Sequence, residues 1–164
     1  MAVHDELTAA NASYAEDFSL GAFPARPVRR FAVVTCMDAR LDPVAFLGLR
    51  PGDAHVLRNA GGVVSDDVLR SLAVSHGVLG TKEAFVIAHT NCGMQRFTDE
   101  EIRAQLAQEP GVDPTGVEFL SFTDLEESVR ASVRRIRESP LLPDAFGATG
   151  LVYDTATGLI SPVE

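Results

Sequence analysis

Three short apolar runs in this chain share one design, and each stops at a polar cluster. The runs are FAVVT at 31–35, AHVLRN at 54–59 and AFVIAH at 84–89. The clusters are Cys36-Met37-Asp38-Ala39-Arg40, Arg58-Asn59-Ala60-Gly61-Gly62 and His89-Thr90-Asn91-Cys92-Gly93. A strand with one face in water alternates apolar and polar residues. The first and third runs do not alternate, which suits strands covered on both faces, as in a parallel sheet. The second is weaker and follows the turn signal Pro51-Gly52-Asp53.

Helical patterns fall between these runs. Residues 4–17 read as a polar N-terminal helix with few apolar positions, which lies over something rather than inside it. GAFPARPVRR is a connector. Pro43, after Asp42, suits a first helical turn. Val64–Leu79 carries its apolar residues at mostly helical spacing, with Asp66 and Asp67 in the first turn and Gly80 as the stop. Thr98 with Glu101 and Thr123 with Glu126 both read as capping boxes. The second opens a long helix over 124–138, with Leu125, Val129, Val133 and Ile136 inward. LVYD at 151–154 is a fourth strand, and Thr157-Gly158 turns into a short last one. GVEFLSF at 116–122 fits a strand or a loop anchored by Phe119 and Phe122; the loop is preferred. Strands alternating with helices give an α/β fold with a mainly parallel sheet. With 164 residues and no repeat or internal boundary, the expectation is one domain over 1–164.

In open α/β sheets, ligands gather beyond the carboxyl ends of the strands. If strands one and three are neighbours, Cys36 comes beside His89 and Cys92. Two thiolates and one imidazole favour tetrahedral zinc, and three protein ligands leave one position open for chemistry. The thiolates neutralise the dication, so bound water needs help to act as hydroxide near neutral pH. Asp38 is the candidate acceptor of that hydroxide's hydrogen, and Arg40 can hold Asp38 as a bidentate pair. Released from Arg40, Asp38 becomes a conditional fourth ligand that blocks the site. Gly61 and Gly62 let backbone approach a small ligand closely. Ala60, Gly61, Gly62 and Gly93 are the candidate pocket lining. Blander readings are buried core thiols for Cys36 and Cys92 and a surface salt bridge for Asp38 and Arg40.

The three clusters, in this order, resemble those of the β-class carbonic anhydrases, and more closely the compact prokaryotic subtype. The long helix and the closing GLVYDTATG extend the resemblance from about residue 30 to the end. It implies a sheet of four parallel strands plus one antiparallel edge strand, flanked by helices. One Zn2+ per subunit would sit on Cys36, His89 and Cys92, with Asp38 and Arg40 as a catalytic dyad. It implies reversible hydration of carbon dioxide to bicarbonate and a proton by zinc-bound hydroxide. It also implies a homodimer or higher homo-oligomer, with residues 1–20 as a helical arm on the dimer partner. Hydrolysis of carbonyl sulfide or carbon disulfide at the same site is the alternative. A non-catalytic zinc or sensor protein is the alternative from another class.

Net charge is −9, from 14 basic and 23 acidic residues. That disfavours partners with phosphate backbones and anionic membrane surfaces, so neither nucleic acid nor membrane is expected. The first residues lack the basic start and apolar stretch of a signal peptide, and no apolar run approaches the ~20 residues of a spanning helix. The expected location is the cytoplasm, where thiols stay reduced.

Overall fold

The computed structural model describes residues 2–164. In chain order the elements are α1 (Val3–Glu16), β1 (Phe31–Cys36), α2 (Pro43–Phe46), β2 (His55–Asn59), α3 (Asp66–Gly77) and β3 (Glu83–His89). They continue with α4 (Asp99–Leu106), α5 (Leu125–Arg137), β4 (Gly147–Tyr153) and β5 (Ile160–Pro162). The strands form one sheet in the order β2-β1-β3-β4-β5. The first four run parallel and β5 pairs antiparallel with β4.

Every residue of β1 is buried, because the strand is covered on both faces. Ala32 and Val34 face a core shared with Val68 and Leu72 of α3 and with Val129, Val133 and Ile136 of α5. Phe31 and Val33 face the other way, into a second core with Leu49 and Ile87. Thr35 is the polar exception, and its hydroxyl donates to the Ile87 carbonyl at 2.7 Å. Leu72 is fully buried; its truncation to Ala would cost about 2–5 kcal/mol.

Local chemistry sets the helix ends. Asp42 accepts from the backbone N–H of Val44 and Ala45, with Pro43 in the first turn. The predicted box of α4 forms in both halves: Glu101 N–H donates to Thr98 Oγ1 at 3.2 Å and Thr98 N–H to Glu101 Oε2 at 2.8 Å. The box predicted on Thr123 and Glu126 does not form. The cap of α5 is Asp124, which accepts from Glu127 N–H at 3.0 Å. A carboxylate one residue later is the better acceptor at this helix start. Helix α3 begins two residues after Val64, with Ser65 as its cap. Val64 belongs to the core without being helical, and its N–H donates to Ser132 Oγ.

Two further details differ from the sequence pattern. Strand β4 starts at Gly147 rather than Leu151. Its first residues, Gly147-Ala148-Thr149-Gly150, carry no strand signature, and packing confines both glycines: Gly147 lies against Glu83 of β3 and Gly150 against α5. A Cβ on Gly150 would lie 2.5 Å from Val129 Cγ1. The segment 116–122 is a loop, as preferred. Helix α1 buries none of its residues. Val3, Leu7, Tyr14 and Phe18 on and just after it are all exposed.

Candidate metal centre and active site

Strands β1 and β3 are adjacent and parallel, so their carboxyl ends open on the same edge of the sheet. Cys36 is the last residue of β1 and His89 the last of β3. After His89 the chain turns sharply through Asn91, whose φ of 56° lies in the left-handed region that asparagine tolerates. That turn sends Cys92 back toward Cys36. The two Sγ atoms and a ring nitrogen of His89 all lie within 4.8 Å of one another, and all three residues are buried. Both thiols are free.

The fit to a metal can be judged from these side chains alone. His89 Nδ1 lies 2.9 Å from the Thr90 carbonyl, which makes Nδ1 the protonated nitrogen. Nε2 is left as a buried acceptor with no hydrogen-bond partner among the described residues. A buried polar atom without a partner costs free energy. Here it points into a cluster with two thiols, which is the donor set of zinc. Electrostatics agree. Hydrogen bonding from Cys92 lowers the Cys36 pKa against the cost of burial, and the same contact raises the pKa of Cys92. Burial disfavours the imidazolium of His89, but Cys36, the Thr90 carbonyl and Asp38 together outweigh it and the net shift is upward. Cys36 is thus the readier of the two thiols to ionise.

Asp38 stands beside this cluster. Arg40 donates to it twice, Nε to Oδ1 at 2.9 Å and Nη2 to Oδ2 at 2.7 Å. Arg40 N–H adds a third bond to Oδ1 at 2.9 Å. Its Nη2 also reaches the Asn91 carbonyl at 3.1 Å, tying the two loops together. The guanidinium holds the Asp38 carboxyl far below the usual carboxylate range. Arg58 fixes this loop from beneath: Nε donates to the Cys36 carbonyl at 3.0 Å and Nη2 to the Asp38 carbonyl at 2.7 Å. The sequence pattern singled out Arg58 only as part of its motif, since a side chain that acts on main-chain carbonyls has no sequence signature.

The predicted glycines divide. Ala60, Gly61 and Gly93 line a cavity of about 470 Å³ above Cys36 and Cys92. Gly62 sits behind it, against β1. Its φ is +66° and a Cβ there would lie 2.8 Å from Cys36 N, so no other residue fits. The outer walls are mostly apolar, with Met94, Phe97, Ile102, Leu106 and Phe119, and Gln105 is their polar exception. Phe119 is fixed by α4. Asp99 accepts from Phe119 N–H at 2.8 Å, Ser121 N–H at 2.9 Å and Ser121 Oγ at 2.6 Å.

A buried Cys-His-Cys cluster with a bidentate carboxylate–guanidinium pair at its rim is a distinctive arrangement, and comparison with known proteins places it. The family model described as carbonic anhydrase matches residues 31–160. The chain belongs to the β-carbonic anhydrase family. It is 45% identical over 163 residues to the β-carbonic anhydrase 1 of Mycobacterium tuberculosis, covering 99% of each chain. The crystal structure of a carbonic anhydrase from Streptococcus mutans superposes with a TM-score of 0.94 at 45% identity, over 100% of this chain and 99% of that one. The family also reaches other chemistry. A carbon disulfide hydrolase of an Acidianus species is 37% identical, over 87% of this chain and 81% of its own length.

Proposed function

We propose that this β-carbonic anhydrase family member is a zinc lyase that interconverts carbon dioxide and bicarbonate. The observation that carries the reading is the convergence of Cys36, His89 and Cys92 within 4.8 Å, with Arg40-bound Asp38 at 3.7 Å from His89 Nε2. The three side chains would hold one zinc ion, which when bound supplies Lewis acidity and lowers the pKa of a coordinated water.

The chain's own residues do the rest. Asp38 is held ionised by Arg40, so it accepts a hydrogen bond from the attacking oxygen and cannot donate one. That orients the oxygen's lone pair toward the substrate carbon. Arg40 keeps Asp38 off the ligand cluster by occupying both carboxylate oxygens. The mostly apolar walls suit an uncharged linear gas. Water and carbon dioxide give bicarbonate and one proton, and the proton passes to buffer.

The test is stopped-flow hydration of carbon dioxide by zinc-loaded protein at alkaline pH. Acceleration that disappears on zinc removal is expected, and a rate equal to buffer alone would overturn the reading. The second reading is hydrolysis of carbonyl sulfide or carbon disulfide. It is favoured by the Acidianus relative and by mostly apolar walls that suit those substrates equally. Release of hydrogen sulfide faster than hydration of carbon dioxide would decide for it.

Residues 1–164 act as one domain whose functional unit is a homodimer or larger assembly. The exposed apolar side chains of α1 supply the arm that lies on the partner. Two free buried thiols in the cluster suit the reducing cytoplasm. Among the described residues no helix is long and apolar enough to cross a membrane.

A further inference from the structure

The turn between β4 and β5 lies beside the metal ligands in space, and the mechanism above gives it no role. Its sequence is Asp154-Thr155-Ala156-Thr157-Gly158. All three polar groups of Thr90, the residue after His89, are bonded to this end of the sheet. Thr90 N–H donates to the Tyr153 carbonyl at 3.0 Å, extending the β3–β4 ladder. Thr90 Oγ1 accepts from Thr155 N–H at 3.0 Å and lies 3.3 Å from Asp154 Oδ1. The Thr90 carbonyl is 3.3 Å from Thr155 Oγ1 and 2.9 Å from His89 Nδ1.

The Thr90 hydroxyl donates to the Asp154 carboxylate at 3.3 Å. The Thr155 hydroxyl has two acceptors on Thr90 within reach, the carbonyl at 3.3 Å and Oγ1 at 3.0 Å, and its bond to the carbonyl is the one that bears on His89. Asp154 is a ready acceptor, because Ala156 N–H and Thr157 Oγ1 hold its oxygens at 2.8 and 3.0 Å. The carbonyl that takes the His89 Nδ1 proton at 2.9 Å thus has a second donor, the Thr155 hydroxyl, at 3.3 Å.

We infer that Thr155 is a positioning residue of the metal centre: by bonding the Thr90 carbonyl, its hydroxyl holds His89 in the tautomer and ring orientation that turn Nε2 toward Cys36 and Cys92. The inference rests on the zinc-site reading above. The hydrogen-bond partner of a ligating histidine's second nitrogen sets its tautomer, and disturbing such partners costs about 10–100-fold in metal affinity. Thr155 touches neither substrate nor metal, so its effect reaches the site only through Thr90 and His89.

The test is zinc affinity of the full chain, measured by competition with a chromophoric zinc chelator. Thr155→Val keeps the shape and removes the hydroxyl; it should bind zinc at least about tenfold more weakly. Thr155→Ser should restore wild-type affinity, and Thr155→Ala serves the same comparison if the valine variant does not fold. In the zinc-loaded protein, the His89 Nδ1 proton should exchange with solvent faster in Thr155→Val than in wild type. Zinc affinity of a folded Thr155→Val within twofold of wild type would overturn the inference while leaving the site intact. Wild-type protein that takes up no stoichiometric zinc would instead overturn the site reading itself.

Discussion

Arg40 grips Asp38 through two near-parallel bonds of 2.9 and 2.7 Å, while the same carboxylate stands 3.7 Å from His89 Nε2. The carboxylate is close enough to reach the ligand cluster and is held back by one side chain. Arg40→Ala should therefore release it toward the metal. Activity should fall about 100-fold, the scale of a catalytic group displaced by an ångström, with zinc content unchanged. Arg40→Lys should follow the same direction, because an ammonium cannot make the paired contact. Hydration kinetics with parallel zinc analysis check this, and wild-type turnover in Arg40→Ala would refute the latch.

Zinc uptake should release protons. Zinc takes two thiolates and a neutral imidazole. In the metal-free protein, the contact between the two thiols favours ionisation of Cys36 and opposes that of Cys92. His89, with its pKa raised, is increasingly protonated as pH falls. Binding must expel the Cys92 proton throughout and the His89 proton more fully at lower pH. Affinity should thus strengthen with rising pH, with a steeper slope on the acid side. Calorimetry in buffers of different ionisation heat measures the count. Cys36→Ser and Cys92→Ser should each lose stoichiometric zinc.

Gly62→Ala should damage the site without touching the cavity. The new methyl would meet Cys36 N at 2.8 Å and the Thr35 carbonyl carbon at 2.9 Å, at a φ of +66°. Backbone strain of this kind costs about 1–3 kcal/mol, and relief means moving the end of β1 that carries a ligand. Denaturant midpoint and zinc content should fall together. Gly93→Ala is the control, because a Cβ there meets nothing within 4 Å.

Acid should loosen the outer wall. The Ser121 hydroxyl, with the Ser121 and Phe119 N–H groups, lowers the Asp99 carboxyl from its ordinary 3.8 to about 2. The unfolded chain therefore binds this proton first. The contribution of Asp99 is fully present above about pH 4 and is lost as pH falls through about 2. Asp99→Asn should be less stable than wild type at neutral pH, with the gap closing as pH drops from 4 toward 2. Paired urea denaturation series check this, and a gap independent of pH would remove Asp99 from the account.

Removing residues 1–17 should leave the sheet folded, because α1 buries none of its side chains. Sedimentation should show the truncated chain dissociating at concentrations where the full chain remains assembled.

The convergence of Cys36, His89 and Cys92 is legible in the sequence because each stands at or just after the end of an apolar run. Asp38 and Arg40 sit close enough to Cys36 to share its loop. What stayed hidden acts through main-chain atoms. Arg58 and Thr155 both work on carbonyl oxygens, which carry no side-chain pattern. Gly61 and Gly62 look alike in sequence, yet only the fold shows one facing the cavity and the other pressed on β1. The start of β4 has no strand pattern for a similar reason: Gly150 answers to Val129 across the core and Gly147 to Glu83 of β3, not to any strand propensity.

The adjacency of β1 and β3 has a consequence for biogenesis. Cys36 leaves the ribosome long before His89 and Cys92 are synthesised, and no local segment contains a complete chelate. The site comes into being only once the two strands have docked. For the zinc site proposed above, metal loading is then a late event on a largely assembled scaffold, and zinc added to folded metal-free protein should suffice to fill it.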